Sequence, residues 1–156
     1  MSAILTDAAR HAAERAAVVA EARTWLGTPY HECADLKGIG VDCALLLMRV
    51  YSAVGAVEFT DPRPYSPQWH LHHAEEMYLG WLERMGARRV QAPALGDIAM
   101  FRWGRCFSHG GIVVEAPGPE AEAQVLHSYL GHGVDLTRLR EAPLEGRERQ
   151  FWSLWP

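Results

Sequence analysis

Hydrophobic and polar positions in the first part of the chain follow the period of a helix. An alanine-rich segment runs to Ala22, with Thr6 or Asp7 as a suitable N-cap. Gly27 ends this segment just before Pro29. Its apolar side chains share one face only in the second half, so we expect that half to pack on the core and the first half to be exposed. The residues of this face are Val18, Ala22, Trp25 and Leu26.

Two further helices are predicted from the same period. One follows Asp42, a suitable N-cap, and ends at Gly55. The other covers His70 to Met85, with Gly86 as its C-cap. Between them, three prolines from Asp61 to Pro67 predict an extended loop. The apolar face of the second helix is Cys43, Leu46, Leu47, Val50, Tyr51 and Val54, and that of the third is Leu71, Ala74, Tyr78, Trp81 and Met85.

After Pro93 the pattern changes to short runs that are typical of strands, separated by glycines and a proline. Helices followed by a meander of strands predict an α+β fold, with N-terminal helices packed on an antiparallel sheet. The strand-like runs contain Ile98 and Met100, Ile112 to Val114, Val125 to Leu130, and Phe151 to Leu154.

Length and charge narrow the possible functions. A chain of 156 residues fits a single domain, 1–156, in which residues 1–21 also qualify as a docking extension for a partner. A formal net charge of -4 argues against nucleic acid as a partner. No apolar run reaches the roughly 20 residues that span a bilayer. Met1 to Arg15 holds no apolar segment of the signal-peptide kind, so we expect synthesis in the cytoplasm and no membrane insertion.

The cysteines are three in number, Cys33, Cys43 and Cys106. An odd and sparse set is a poor disulfide framework and fits a reducing compartment of synthesis. Each thiol is therefore available for catalysis or for inert burial.

Cys43 is the strongest candidate for chemistry, because it lies at the start of a predicted helix after a glycine-rich loop. Backbone N–H groups and the helix dipole stabilise a thiolate there, so we expect a lowered thiol pKa. The same N–H groups are suited to binding an oxyanion. An inert buried cysteine is the alternative interpretation.

A nucleophilic thiol needs a base, and the base needs a group that orients it. His109 stands before two glycines at the entry of one predicted strand, and His127 stands in the centre of the next. If these strands pair, His127 can hydrogen-bond one ring nitrogen of His109 and leave the other for the sulfur. Taken singly, each histidine is equally well read as an ordinary residue of a sheet.

These residues belong to a series of motifs that resembles the NlpC/P60 cysteine peptidases, from about Ala22 to the C-terminus. The resemblance implies a papain-like fold and hydrolysis of the amide between D-glutamate and a diamino acid in peptidoglycan stem peptides. It implies no cofactor. The motifs are Trp25-Leu26-Gly27-Thr28-Pro29-Tyr30, Gly40-Val41-Asp42-Cys43, Ser108-His109-Gly110-Gly111-Ile112 and Leu126-His127.

The resemblance also implies roles for individual residues. Cys43 is expected to be the nucleophile, His109 the base and His127 the orienting third residue. Tyr30 is expected to line the cleft beside the nucleophile, where its phenol donates to the oxyanion or contacts substrate, unless it only packs. Asp42 is expected to hold a substrate amine, to act as an N-cap, or both.

The sequence departs from the family pattern after the nucleophile, where it has Ala44-Leu45 instead of a small polar residue and glycine. The loop from Tyr30 to Val41 is also longer than is usual in the family. Together with the segment from Pro64 to His70, this variant pattern resembles the subgroup encoded among phage tail genes and in phage-derived gene transfer agents. That resemblance implies tail-tip proteins as partners. It also implies that the protein is part of a virion and opens the cell wall locally during DNA delivery.

Three other interpretations remain open on the sequence. A zinc site is one, although no Cys-x-x-Cys spacing is present. A non-catalytic tail or assembly component that keeps the fold is the second. An amidase or acyltransferase with the same thiol chemistry is the third. The candidate zinc ligands are His31, Glu32, Cys33, His70, His72, His73, Cys106 and His109.

Overall fold

The elements follow the predicted order, with helices before most of the strands. The computed structural model describes residues 6–65, 76–119 and 122–156. Its helices are α1 (Asp7–Arg23), α2 (Cys43–Ala53) and α3 (Met77–Arg84). Its strands are β1 (Asp35–Leu36), β2 (Gly40–Val41), β3 (Arg88–Val90), β4 (Ile98–Trp103), β5 (Cys106–Glu115), β6 (Gln124–Tyr129), β7 (Gly133–Arg138) and β8 (Arg149–Ser153).

The N-caps of the first two helices are confirmed, whereas α1 ends at Arg23, with Thr24 as its C-cap, before the predicted stop at Gly27. Thr6 is the N-cap of α1, and its hydroxyl accepts a hydrogen bond from the amide of Ala9 at 3.2 Å. Asp42 is the N-cap of α2. Gly86 follows α3 with a φ of 89°, which is the left-handed conformation that a glycine adopts without strain. The third helix begins at Met77, after Glu76 as its N-cap, so the prediction of one continuous helix from His70 to Met85 was wrong at Glu76. Residues 70–75 and part of the Pro64 to His70 segment lie outside the described residues.

The described strands form an antiparallel sheet in the order β3-β8-β4-β5-β6-β7, beside a small hairpin of β1 and β2. The strands that contain Ile98, Ile112, Val125 and Phe151 were predicted. β3 and β7 were not. β3 is a mostly charged, exposed edge strand, and the glycine that begins β7 reads from the sequence as part of a turn.

The helices pack on one face of the sheet and bury the main core against it. α2 lies on β5 and β6, and α1 lies on α2 and β5. The second half of α1 faces this core through Val18 and Ala22, as predicted. The prediction for Leu26 was wrong: its side chain is 41% exposed, because the helix ends at Arg23 and the turn that follows directs Leu26 to solvent.

A buried ion pair fixes α1 against the sheet. Arg15 donates from Nη1 to Oδ1 of Asp97 at 2.7 Å, and the Asp97 side chain is almost fully buried. The same guanidinium lies over the ring of Trp155, 4.5 Å from its centroid. Within the described residues, no helix is both long and apolar enough to cross a membrane.

Candidate active site

Cys43 is the first residue of α2, and the N-cap determines how this end of the helix is built. Asp42 accepts a hydrogen bond at Oδ1 from the amide of Leu45 at 2.9 Å, and its backbone carbonyl accepts from the amide of Leu46 at 3.0 Å. The amides of Cys43 and Ala44 are therefore left for groups outside the helix. The Cys43 thiol is half-buried and donates to the carbonyl oxygen of Ser108 at 3.7 Å.

The other oxygen of the Asp42 carboxylate holds two loops. Oδ2 accepts from the amide of Cys33 at 2.9 Å and from the hydroxyl of Tyr65. The side chain is buried, with 4% exposure. The predicted N-cap role is confirmed. The alternative role, in which Asp42 binds a substrate amine, stays a prediction, and such an amine competes with Tyr65 for this oxygen.

His109 and His127 are joined by a hydrogen bond between their rings, as predicted for paired strands. Nε2 of His109 and Nδ1 of His127 are 2.7 Å apart, and their rings meet at 78°. His109 lies within β5, and not at the entry of the strand as expected. Nε2 of His127 is 2.8 Å from Oγ1 of Thr137 on β7, a buried residue that the sequence analysis did not identify. Nδ1 of His109 is the ring nitrogen that takes no part in the hydrogen bonds joining His109, His127 and Thr137.

The two glycines after His109 make room for the site. A Cβ on Gly111 would lie 2.4 Å from Cγ1 of Val125 and 2.9 Å from the carbonyl oxygen of Leu126. A Cβ on Gly110 would lie 2.7 Å from the hydroxyl of Tyr78. That hydroxyl donates to the carbonyl of Cys43 at 3.2 Å. Gly110 therefore leaves room for the Tyr78 hydroxyl, and Gly111 leaves room for the strand that carries His127.

Backbone pairing brings the segment before Cys43 onto the sheet. The amide of Val134 on β7 donates to the carbonyl of Thr28 at 2.8 Å, and the amide of Gly27 donates to the carbonyl of Val134 at 3.1 Å. Ser128 on β6 donates from its hydroxyl to the carbonyl of Val41 at 2.8 Å. The Cys43 helix and the histidine strands are therefore held together from both sides of the site.

A cavity of about 1140 Å³ opens over these residues. Cys43, His109, Tyr30 and Asp42 all line it, whereas His127 is fully buried behind His109. The structure thus brings together the five residues that the sequence singled out. Further cavity residues that the sequence analysis did not assign to the site include Tyr65, Tyr78, Trp103, Tyr129, Leu130 and His132.

Aromatic rings enclose the histidines. The ring of Trp103 lies 4.7 Å from that of His109, and the Arg147 guanidinium lies 3.3 Å from the Trp103 ring centroid. Tyr129 stacks on His127, with centroids 4.6 Å apart and planes within 9°. Alternation along β6 places residues 127 and 129 on one face, so this contact was predictable in outline. The position of Trp103 depends on the pairing of β4 with β5, so its contact with His109 was not predictable from the sequence.

The expectation of a lowered thiol pKa was wrong. Burial first, and then the neighbouring charge of Asp42, raise the pKa of Cys43 to about 12. The amides of Gly110 and Ala44 act in the opposite direction and do not outweigh them. Helix position alone favours a thiolate, but the folded environment keeps this thiol protonated at neutral pH.

Both histidines are neutral at the same pH. Burial, and then the nearby charges of His127 and Arg147, hold the pKa of His109 well below its usual value of 6.5. Burial lowers the pKa of His127 to about 4, although the charge of Asp135 acts in the opposite direction. The resting site is therefore a neutral thiol beside a neutral imidazole pair.

Tyr30 supplies a polar group to the cavity. Burial first, and then the charges of Cys43 and Asp42, raise its pKa above the usual 10, so its hydroxyl stays protonated and can donate. Among the residues that the structure describes, no cluster of three His, Cys, Asp or Glu side chains is suited to a metal ion. The candidate zinc ligands His70, His72 and His73 lie outside the described residues.

Comparison with solved structures identifies the fold. The chain is similar to the NlpC/p60 domain of the peptidoglycan hydrolase SagA, with a TM-score of 0.54 and 22% sequence identity. The match covers 87% of this chain and 96% of that one. The predicted α+β, papain-like NlpC/p60 fold is thereby confirmed. No protein-family model matches the sequence, and no curated protein matches it.

We expect Gly111→Ala to destabilise the protein, because the added methyl group overlaps β6 at Val125 and Leu126. Overpacking of this kind costs about 1–3 kcal/mol, which lowers the melting temperature of a chain of this size by roughly 2–10 °C. Gly118→Ala is the matched control, since its Cβ meets no atom within 4 Å. Equal melting temperatures for the two variants, measured by circular dichroism, would contradict the close approach of β6.

We expect the free energy of unfolding to fall as the pH drops from 6.5 to about 4. The folded state keeps His127 neutral down to about pH 4, whereas the unfolded chain protonates it near 6.5, so the unfolded state binds the extra proton in this window. The contribution over the window is about 3 kcal/mol. It is measured as the difference in urea unfolding between wild type and His127→Asn.

The exposed His132 provides the control for this pH dependence. His132→Asn should keep most of the wild-type slope between pH 6.5 and 4, whereas His127→Asn should reduce the slope by the contribution of His127 alone. The rest of the slope comes from His109, whose pKa is also lowered by burial. Identical slopes for wild type and His127→Asn would show that the burial of His127 does not govern the acid sensitivity.

Proposed function

We propose that this chain is a cysteine peptidase of the cell wall in which Cys43 is the nucleophile, His109 the base and His127 the residue that orients the base. The observation that carries the proposal is the 2.7 Å hydrogen bond between His109 and His127 beside a cavity that Cys43 and His109 both line. A nucleophile, a base and an orienting group in this order are what acyl transfer requires.

The neutral resting state determines how the proton moves. As the Cys43 sulfur attacks the carbonyl carbon of the substrate amide, Nδ1 of His109 accepts the thiol proton. His127 stabilises the imidazolium that forms, because Nε2 of His109 donates to its Nδ1. His109 then gives the proton to the leaving amine. Water, with His109 again as base, hydrolyses the thioester and restores the thiol.

Backbone amides at the start of α2 are available for the oxyanion. The N–H groups of Cys43 and Ala44 have no carbonyl partner within the helix, and both lie near the sulfur. The protonated hydroxyl of Tyr30 is a third donor in the same cavity. Preorganised donors of this kind are typically the largest single contribution to acyl-transfer rates.

The proposed substrate is the peptidoglycan stem peptide, cut between D-glutamate and the diamino acid. Support comes from the sequence motifs around Tyr30, Cys43, His109 and His127 and from the fold shared with a domain of a peptidoglycan hydrolase. Ala44 lines the cavity with a methyl group in place of a polar side chain, so we assign no amine-binding role to this position.

We expect the protein to release stem-peptide fragments from purified murein sacculi, with cleavage between D-glutamate and the diamino acid. Cys43→Ala should abolish release, since no other group of the site can form the thioester. Cys33→Ala is the control, because it removes a thiol from the neighbouring loop and leaves the backbone amide that binds Asp42. Fragments are identified by mass spectrometry.

Two outcomes would contradict the proposal. Release that survives Cys43→Ala would exclude the thiol mechanism and favour a metal-dependent hydrolase. No release by wild type, with correct folding, would favour a non-catalytic assembly component or an enzyme that acts on another amide.

We further propose that the peptidase is a component of a phage-like tail and acts on the wall during DNA delivery. Support comes from the sequence pattern of Cys43-Ala44-Leu45 and of the segment from Pro64 to His70. Purified particles from the source cells should then contain the chain, detected by mass spectrometry at a fixed ratio to tail proteins. Its absence from particles, with the chain present in the cell lysate, would contradict this assignment.

A further inference from the structure

Thr137 lies at the end of the hydrogen-bonded chain that begins at His109. It stands on β7 opposite Val125, and its side chain reaches diagonally to His127 on the neighbouring strand. Oγ1 of Thr137 is 2.8 Å from Nε2 of His127, and both side chains are buried, at 3% and 0% exposure. The Thr137 hydroxyl is thus the hydrogen-bond partner of Nε2 of His127.

We propose that the Thr137 hydroxyl selects the tautomer of His127, and through it that of His109, so that Nδ1 of His109 is unprotonated and available to the Cys43 thiol. Thr137 is a positioning residue that acts through His127. Its value for catalysis rests on the peptidase function proposed above, whereas its effect on the tautomers does not.

Two arrangements of protons satisfy the hydrogen bonds. In the first, Nε2–H of His109 donates to Nδ1 of His127, and Nε2–H of His127 donates to Oγ1 of Thr137. Nδ1 of His109 is then bare and can accept the thiol proton. In the second, Thr137 donates to Nε2 of His127, and Nδ1–H of His127 donates to Nε2 of His109. The proton of His109 is then on Nδ1, which cannot act as a base.

The first arrangement is favoured because both ring protons meet a nitrogen or oxygen acceptor. In the second, the proton on Nδ1 of His109 has no histidine or threonine acceptor, and the Cys43 thiol that lines the same cavity is a weak acceptor. The acceptor role of Thr137 is what makes the first arrangement possible. Without the hydroxyl, Nε2–H of His127 is a buried donor with no acceptor, which is the costly case.

Removal of the hydroxyl should therefore move the proton of His127 to Nδ1 and the proton of His109 to Nδ1 as well. Thr137→Val keeps the shape of the side chain and its β-branch but has no oxygen. Thr137→Ser keeps the hydroxyl. The tautomers are read by long-range ¹H–¹⁵N NMR of the imidazole rings in the full chain without substrate, with His127→Asn used to assign the signals.

The expected result is that wild type and Thr137→Ser carry both protons on Nε2, and Thr137→Val carries both on Nδ1. On murein, kcat of Thr137→Val should fall roughly 10- to 100-fold with little change in KM, because the substrate contacts are intact. Thr137→Ser should restore kcat to near the wild-type value. Thr137→Ala also lacks the oxygen and takes the place of the valine variant if that variant does not fold.

Unchanged tautomers in both hydroxyl-free variants would overturn the proposal. So would switched tautomers with an unchanged kcat, since Thr137 would then have no influence on the thiol. If wild type has the expected tautomers but cuts no murein, the peptidase proposal fails, and the NMR comparison still decides the role of Thr137.

Discussion

The carboxylate of Asp42 is the contact on which the candidate site most depends. With one oxygen it caps α2 at Leu45, and with the other it holds the amide of Cys33 and the hydroxyl of Tyr65. A buried carboxylate without such partners would be strongly destabilising, so the helix start and both loops have to meet at this point. Cys43, the nucleophile we propose, is the next residue, and its position is therefore fixed by a side chain that takes no part in the proposed chemistry.

The sheet imposes a second constraint, which brings His109, with His127 behind it, to the cavity that Cys43 also lines. Gly111 allows β6 to approach β5 closely enough for a 2.7 Å bond between the two rings. Backbone pairing of Val134 with Gly27 and Thr28 ties the same sheet to the segment before the nucleophile. These two contacts therefore hold the histidine strands together and against the segment that leads to Cys43.

The sequence was sufficient for the parts of the site that depend on local rules. An Asp before an apolar helical run predicts the N-cap at Asp42, and strand alternation brings His127 towards His109. It was not sufficient for Thr137 or Tyr65, because their contacts depend on the register of β7 and on the path of a loop, which turns and long-range packing determine. The thiol pKa was misjudged for the same reason: the helix start is visible in the sequence, whereas burial of the sulfur is a tertiary effect.

A neutral thiol beside a neutral imidazole changes what the surrounding structure must do. In a preformed ion pair, attraction between the charges would keep the sulfur and the ring in place. Here that attraction is absent, so the positions of the sulfur and the ring are set by other contacts: the carboxylate of Asp42 beside Cys43, and uncharged hydrogen bonds. The hydrogen bond from the Tyr78 hydroxyl to the Cys43 carbonyl and the hydrogen bonds that join His109, His127 and Thr137 are uncharged contacts of this kind. Orientation, rather than charge, is therefore what this fold supplies to the thiol before a substrate binds.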